Sequence, residues 1–311
     1  MFLTVTPNAA IDKTAVVQGF TVNQRHVVKH IHAQPGGKGI NVARVLKAFG
    51  TPVFVSGFVG GETGKLIKLG LEREGIRGDF GTVMSESRTC LAILDPQRGT
   101  VTELDEAGPD VTAQEVTKLT AIIQRYATRS TPTVFAGSLP PGVAPDTYRK
   151  WIDIVQRAGG KAYLDAKGPA LVHGLEANPY LVKPNQAEAE EVLGYHLDTE
   201  TRIAQAIEYF LRKAHIAVIT LGERGAAIGC EGERWRVYAP PVKAVSTVGS
   251  GDAFLAGFIV GLTRGLPLKE CARLAAATGA ANTQSVSAGT IRLEQVDRMQ
   301  SQIRVDPLRG F

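Results

Sequence analysis

The sequence predicts an α/β fold with a mostly parallel sheet and helices on both of its faces. Three observations predict it. Short apolar and β-branched runs recur along most of the 311 residues, helical patterns separate most of them, and two stretches interrupt the alternation with paired strands.

Taken in order, the first run, FLTVT (2–6), reads as a strand. KTAVVQGFTVNQRHVVKHIHAQ (13–34) follows, with turn signals between two runs and no helix directly after it, so a hairpin is expected. The helical pattern from Val42 to Phe49 closes at Gly50 in the manner of a C-cap, and PVFVSGF (52–58) gives the next strand. RTCLAILDPQRGTVTELDE (88–106) repeats the hairpin pattern. Thr112 and Glu115 form a capping box ahead of Val116, Leu119 and Ile123. TVFAGS (133–138), KAYLDA (161–166), YLVKP (180–184) and IAVITL (216–221) are the remaining core strands. In DAFLAGFIVGL, Phe254, Phe258 and Leu262 share one helical face while Gly257 and Gly261 permit close packing, so a buried helix is expected. The two hairpin stretches are expected to form a small sheet over the ligand edge, a lid. With no repeat, low-complexity segment or Pro/Ser-rich linker, residues 1–311 read as one α/β domain with lid insertions at about 13–34 and 88–106.

Composition excludes several classes. The hydrophobic share of 44% and charged share of 21% are those of a globular protein, not a disordered one. A net charge of +5 is spread along the chain and aromatics are sparse, which fits anionic small molecules and argues against a nucleic-acid track. Cys90, Cys230 and Cys271 show no CxxC spacing, so neither a disulfide framework nor a zinc site is indicated and a cytoplasmic protein is expected. No charged leader with an apolar core opens the sequence, and no apolar run is long enough for a bilayer, so no membrane partner is expected.

Two glycine strings carry the chemistry. In VSTVGSGDAFLAGF, Gly249, Ser250 and Gly251 precede a helix whose first N–H groups are unpaired, which makes an anion site with a carboxylate, Asp252, inside it. On its own the string leaves Asp252 open between a helix cap and a chemical role. In PGGKGINVARVL, Gly36, Gly37 and Gly39 allow a close backbone approach, Lys38 adds a cation and Asn41 projects from the first helical turn. This string matches neither a Walker A loop nor a dinucleotide fingerprint, and alone it is equally a glycine turn into a helix. His26, His30 and His32 fall on one face by period two, and with no Cys or carboxylate nearby a solvated or interface face is expected rather than a metal site.

GGKGINVAR and STVGSGDAFLAGF together resemble the two signatures of the ribokinase-like sugar kinases, in the phosphofructokinase B branch. The likeness continues in order through TPNAAID (6–12), SRTCLAIL (87–94), AGSLPPG (136–142), LVKPNQAEAEE (181–191), ITLGERGA (219–226) and AANTQS (280–285). Within the branch the sequence is similar to the 1-phosphofructokinases and tagatose-6-phosphate kinases, Lys38 being the main reason.

The resemblance implies a ribokinase-like three-layer α/β/α core with a small β-sheet lid. It implies phosphorylation of a hydroxymethyl group of a ketohexose phosphate by ATP with Mg2+, foremost fructose 1-phosphate to fructose 1,6-bisphosphate. Tagatose 6-phosphate and fructose 6-phosphate are the alternative acceptors, and a catalytically silent phosphosugar-binding regulator is the alternative of another class. Asp252 is implied as the base, with the N–H groups of Gly249, Ser250 and Gly251 holding the charge on the transferring group. Asp12, placed at the end of the first strand, Gly37, Lys38 and Asn41 are implied to hold the sugar, and Arg25, Arg88 and Ser138 its phosphate or hydroxyls. Lys183, Asn185, Thr220, Gly222, Gly225, Val248, Gly249, Gly251 and Asn282 are implied for ATP. Glu188 and Asn185 are implied to organise Mg2+ through water. One departure stands out: relatives often have D-[ST]-S-G where this chain has Asp165, Ala166, Lys167 and Gly168. Apolar alternation in the lid runs further predicts a homodimer through the lid.

Overall fold

A computed structural model of the chain describes residues 1–128 and 131–310. The first half runs β1 (Phe2–Thr6), β2 (Ala10–Val16), β3 (Ile31–Gly36), α1 (Lys38–Ala48), β4 (Val53–Gly60), α2 (Gly61–Arg73), β5 (Arg77–Gly78), β6 (Gly81–Val83), β7 (Arg88–Asp95), β8 (Thr100–Asp105) and α3 (Ala113–Tyr126). The second half runs β9 (Thr133–Ala136), α4 (Thr147–Arg157), β10 (Ala162–Asp165), α5 (Gly168–Leu175), β11 (Leu181–Val182), α6 (Gln186–Leu193), α7 (Glu200–Leu211), β12 (Ile216–Thr220), β13 (Ala226–Cys230), β14 (Glu233–Tyr238), α8 (Ser250–Thr263), α9 (Leu268–Asn282), α10 (Leu293–Gln300) and β15 (Arg304–Pro307).

The large sheet is ordered β15-β14-β13-β12-β11-β10-β9-β1-β4-β5, and its stretch from β12 to β5 is parallel throughout. The six expected core runs are all there: 2–6 is unchanged, 52–58 shifts to 53–60, and the other four are shorter than expected. Their side chains alternate between two cores. Leu3, Phe135, Leu164 and Val182 pack with α3, α4, α5 and α7, while Phe2, Val134, Tyr163 and Leu181 pack with α1, α8 and α9. Strands buried on both faces read as near-continuous apolar runs, which is why the sequence shows them.

The capping box is present, with Thr112 accepting from Glu115 N–H and Glu115 from Thr112 N–H. The helix expected from Val42 starts earlier, at Lys38, and Gly50 follows its end with φ 74°. Helix α8 is buried over most of its length, and a Cβ on Gly257 or Gly261 would strike Thr278 or Cys271 of α9.

The two interrupting stretches meet in one four-stranded sheet, β3-β2-β7-β8, in which β2 pairs antiparallel with β3 and parallel with β7. Its strands cover 10–16, 31–36, 88–95 and 100–105, and the residues between Val16 and Ile31 form a turn-rich loop. That loop corrects the histidine reading. Val22 and Val27 are each 81% exposed, so nothing holds this segment extended. His26 instead closes the loop on itself, its Nε2 meeting Thr21 O at 2.9 Å, and its ring packs on Phe20. Only His32 lies in a strand, and no cluster of metal-ligating side chains occurs among the described residues.

Candidate active site

Gly249 stands immediately before helix α8, its φ of 76° lies in the left-handed region that favours glycine, and a Cβ there would strike Ala288. The turn directs Ser250 N–H to Thr247 O at 3.2 Å, so this amide is not free as the sequence reading held. The N–H groups of Gly249, Gly251 and Asp252 have no protein acceptor among the described residues. They form the open, partly positive start of the helix.

Asp252 sits in the first turn of α8 and makes no capping bond to it. Its Oδ2 accepts from Asn41 Nδ2 at 2.8 Å, across from α1. This geometry rules out the cap reading. Burial and the nearby Asp165 carboxylate push the Asp252 carboxyl up to about 6, against Lys38, the Asn41 hydrogen bond and Lys183, which hold it down.

Three chain segments supply a charge cluster beside it. Asp165, at the end of β10, is fully buried, with Lys38 Nζ 2.8 Å from its Oδ1 and Lys183 Nζ 2.8 Å from its Oδ2. Lys38 also reaches Glu188 Oε1 at 3.1 Å. Burial alone would raise the Asp165 carboxyl, but Lys183 and Lys38 outweigh it and hold the group below its ordinary range. Burial works against the charge on Lys38 too, and Asp165, Glu188 and Asp252 reverse that, keeping it an ammonium. Lys38 therefore points toward this cluster. Asp165 was missed as a site residue, although its occurrence at the end of a core strand was a usable signal.

Asn185 and Glu188 form a second capping box. Asn185 Oδ1 accepts from Glu188 N–H at 2.9 Å, and Glu188 Oε2 accepts from Asn185 N–H at 2.8 Å. Asn185 Oδ1 and Glu188 Oε2 thus each spend one lone pair on the start of α6, and both residues line the cleft.

The small sheet supplies the opposite wall. Asp12 lies within β2, across from Gln34 and Cys90, not at the end of the first strand. Burial raises its carboxyl, against the Gly37 N–H, Arg88 and Arg44. Arg88 donates from Nε to Asn8 O at 3.1 Å and from Nη1 to Glu106 O at 3.2 Å. Asn8, which the sequence reading passed over inside TPNAAID, donates to Ser138 Oγ at 3.2 Å and to Ala107 O at 2.9 Å. It ties the core strand ends to the segment leaving the small sheet.

Between these walls runs a cleft of about 1320 Å³, more than one small ligand fills. It is lined by Asp12, Gly37, Lys38, Asn41, Arg88 and Ser138 on the small-sheet side and around the first signature. Lys183, Asn185, Glu188, Thr220, Gly222, Gly225, and 248–252 line the rest. Lys167 lines it as well, whereas its neighbour Ala166 is buried, so the departure from D-[ST]-S-G puts a cation in the cleft.

Two expected site residues are not brought in. Arg25 is exposed in the 17–30 loop, outside the lining, because that loop turns on itself rather than extending a strand. Asn282 is fully buried and donates to Val248 O at 2.9 Å, so it braces the loop before α8 instead of facing a ligand.

The model of the pfkB family carbohydrate kinases matches residues 5–295. The chain is 32% identical over 307 residues to a 1-phosphofructokinase of Vibrio cholerae serotype O1, covering 98% of this chain and 96% of that protein. Among solved structures, a Thermotoga maritima protein described as a possible 1-phosphofructokinase superposes with a TM-score of 0.92 at 26% identity, over 99% of this chain and 100% of that one. Escherichia coli phosphofructokinase-2 in complex with substrates and products superposes with a TM-score of 0.90 at 26% identity, over 96% of this chain and 98% of that one. The layered core and its separate small sheet are thus ribokinase-like, as expected.

Proposed function

This chain belongs to the pfkB family of carbohydrate kinases and is an ATP-dependent sugar kinase, and from that premise we propose that its acceptor is a ketohexose phosphate, foremost fructose 1-phosphate. The observation that carries the reading is the pairing in one cleft of Asp252, at an open helix start, with Arg88 and Asp12 on the opposite wall. The name of the Vibrio cholerae relative supports the choice of acceptor.

Asp252 is the base. With its carboxyl near 6 it is ionised at neutral pH. Asn41 occupies Oδ2, so Oδ1 is the atom that accepts the proton of the hydroxymethyl group as its oxygen bonds the γ-phosphorus of ATP and the bond from that phosphorus to the bridging oxygen breaks, ADP leaving with that oxygen. The amides of Gly249, Gly251 and Asp252 receive the charge on the transferring phosphoryl oxygens, and Lys38, held by Asp165, adds a cation beside them. Arg88 offers a guanidinium to the acceptor's phosphate, while its Nε and Nη1 bonds to backbone carbonyls fix its plane. Thr220, Gly222, Gly225 and Val248 line the side of the cleft assigned to ATP.

Mg2+ fits this donor set as an ion carried by nucleotide phosphates, since no cage of three protein ligands exists among the described residues. When bound it draws charge from the phosphate oxygens. Glu188 would hold it through water, its Oε1 and Oε2 each retaining a lone pair beyond their bonds to Lys38 and Asn185.

One observation favours a second acceptor, fructose 6-phosphate: phosphofructokinase-2 of Escherichia coli, which has been solved in complex with fructose-6-phosphate, is as similar in sequence as the Thermotoga protein. ATP turnover over fructose 1-phosphate, fructose 6-phosphate, tagatose 6-phosphate, fructose and ribose decides between them. The reading expects the highest kcat/KM with fructose 1-phosphate, and preference for an unphosphorylated sugar would overturn it.

The small sheet acts as a lid and pairs with a second copy. Ile31, Leu91 and Leu104 share the face opposite Asp12 and Arg88, and Ile31 and Leu104 are 54% and 56% exposed, an apolar surface on thin strands that a partner would cover.

A further inference from the structure

Arg44 lies one helical turn beyond Asn41 on α1, and its side chain is 13% exposed. Its guanidinium is engaged on every nitrogen. Nε and Nη2 donate to the two carboxylate oxygens of Glu74 at 2.8 and 3.0 Å, and Nη2 donates also to Pro35 O at 2.7 Å. Nη1 donates to Ala288 O at 3.1 Å and to Asn41 Oδ1 at 3.2 Å.

A guanidinium has donors and no acceptor. It therefore accepts only the oxygen edge of the Asn41 amide as a neighbour. With the oxygen held there, the NH2 faces the other way, where Asp252 Oδ2 accepts it at 2.8 Å. We propose that Arg44 is a positioning residue for the base: it fixes the Asn41 amide so that a donor, not an acceptor, meets Asp252, while Glu74 and Pro35 fix Arg44. The inference rests on Asp252 being the base.

Without Arg44 the amide is free to rotate, and its carbonyl oxygen against the carboxylate would disfavour the ionised form. The other charged groups facing Asp252 are Lys38 from α1, Lys183 from the segment after β11 and Asp165 from β10, and Arg44 touches none of them. The Ala288 contact is duplicated, because Gln34 Nε2 also donates to Ala288 O at 2.9 Å. The effect of Arg44 on the base therefore runs through Asn41.

The test is the pH dependence of kcat/KM for the best acceptor in wild type, Arg44→Met, Arg44→Lys, Asn41→Leu and the Arg44→Met/Asn41→Leu double variant. In Arg44→Met the acid limb should move up by about one pH unit, the size of one hydrogen bond to a charged group. The loss should then be about 5-fold near pH 6, approach about 10-fold at pH 5 and shrink toward pH 9. Arg44→Lys, which offers one point donor, should shift the limb less. The double variant should be no slower than Asn41→Leu alone. A loss of the same factor at every pH, or losses that multiply in the double variant, overturns the proposal. If Arg44→Met does not fold, the limb of Arg44→Lys decides by the same criterion. A wild-type chain inactive on every acceptor sinks the functional reading and this inference with it, whereas an active wild type with an unmoved acid limb in the Arg44 variants sinks the inference alone.

Discussion

Replacing Asp165 with Asn would remove the one carboxylate that two lysines share inside the protein. Asp165 is fully buried, Lys183 is 2% exposed, and each lysine nitrogen stands 2.8 Å from one of its oxygens. An amide keeps the shape and loses the charge. Lys183 is left as a buried ammonium with no anion at its former partner, and breaking a buried pair in this way costs about 3 to 5 kcal/mol. With about 2.1 cal/mol/K of unfolding entropy per residue, that lowers Tm by roughly 5 to 8 °C in a chain of this length. The pH dependence has a definite sign. The folded carboxyl lies below its ordinary range, so its contribution is complete above the unfolded pKa and is lost as pH falls toward the folded value. Thermal melts of wild type and Asp165→Asn should differ by that amount at pH 7.5, and the gap should narrow below about pH 5. Equal melting temperatures at pH 7.5, or a gap that widens in acid, would refute the reasoning.

Other perturbations separate the parts of the site. Arg88→Ala should raise KM for the phosphosugar about 10-fold to 100-fold, the worth of one charge-assisted bond, and leave KM for ATP nearly unchanged; an equal rise in both would place the residue on the wrong side of the cleft. In wild type, kcat/KM should fall as pH drops through about 6, where Asp252 takes up a proton, and a profile flat down to pH 5 would remove that group from the acid limb. Ile31→Asp should convert a dimer to a monomer in light scattering at micromolar concentration, and a wild type that is already monomeric with phosphosugar present defeats the dimer proposal.

Much of the core was legible because buried parallel strands leave continuous apolar runs, and because Thr112 with Glu115 and Gly249 to Gly251 are local devices whose meaning does not depend on distant residues. The antiparallel edge made by β13, β14 and β15 was not legible, as β15 joins from the far C-terminus and its pairing is a tertiary fact. The Lys38, Lys183 and Asp165 cluster is of the same kind. A lysine in sequence gives no direction, and only the crossing of α1 over the strand ends turns Lys38 onto Asp165 and Glu188. Arg25 failed for the opposite reason. The resemblance placed it in the first hairpin stretch, yet with Val22 and Val27 both in solvent nothing extended that segment. Asn282 carried the right motif and spends its amide on Val248.

The central claim is that Asp252 takes the acceptor's proton during phosphoryl transfer from ATP. Steady-state kinetics of Asp252→Asn against wild type, with fructose 1-phosphate and ATP at pH 8, test it most directly, since the amide keeps a partner for Asn41 and the helix start is unchanged. The account predicts kcat lower by about 100-fold to 10,000-fold, with ATP affinity retained. A kcat within a few fold of wild type would contradict it.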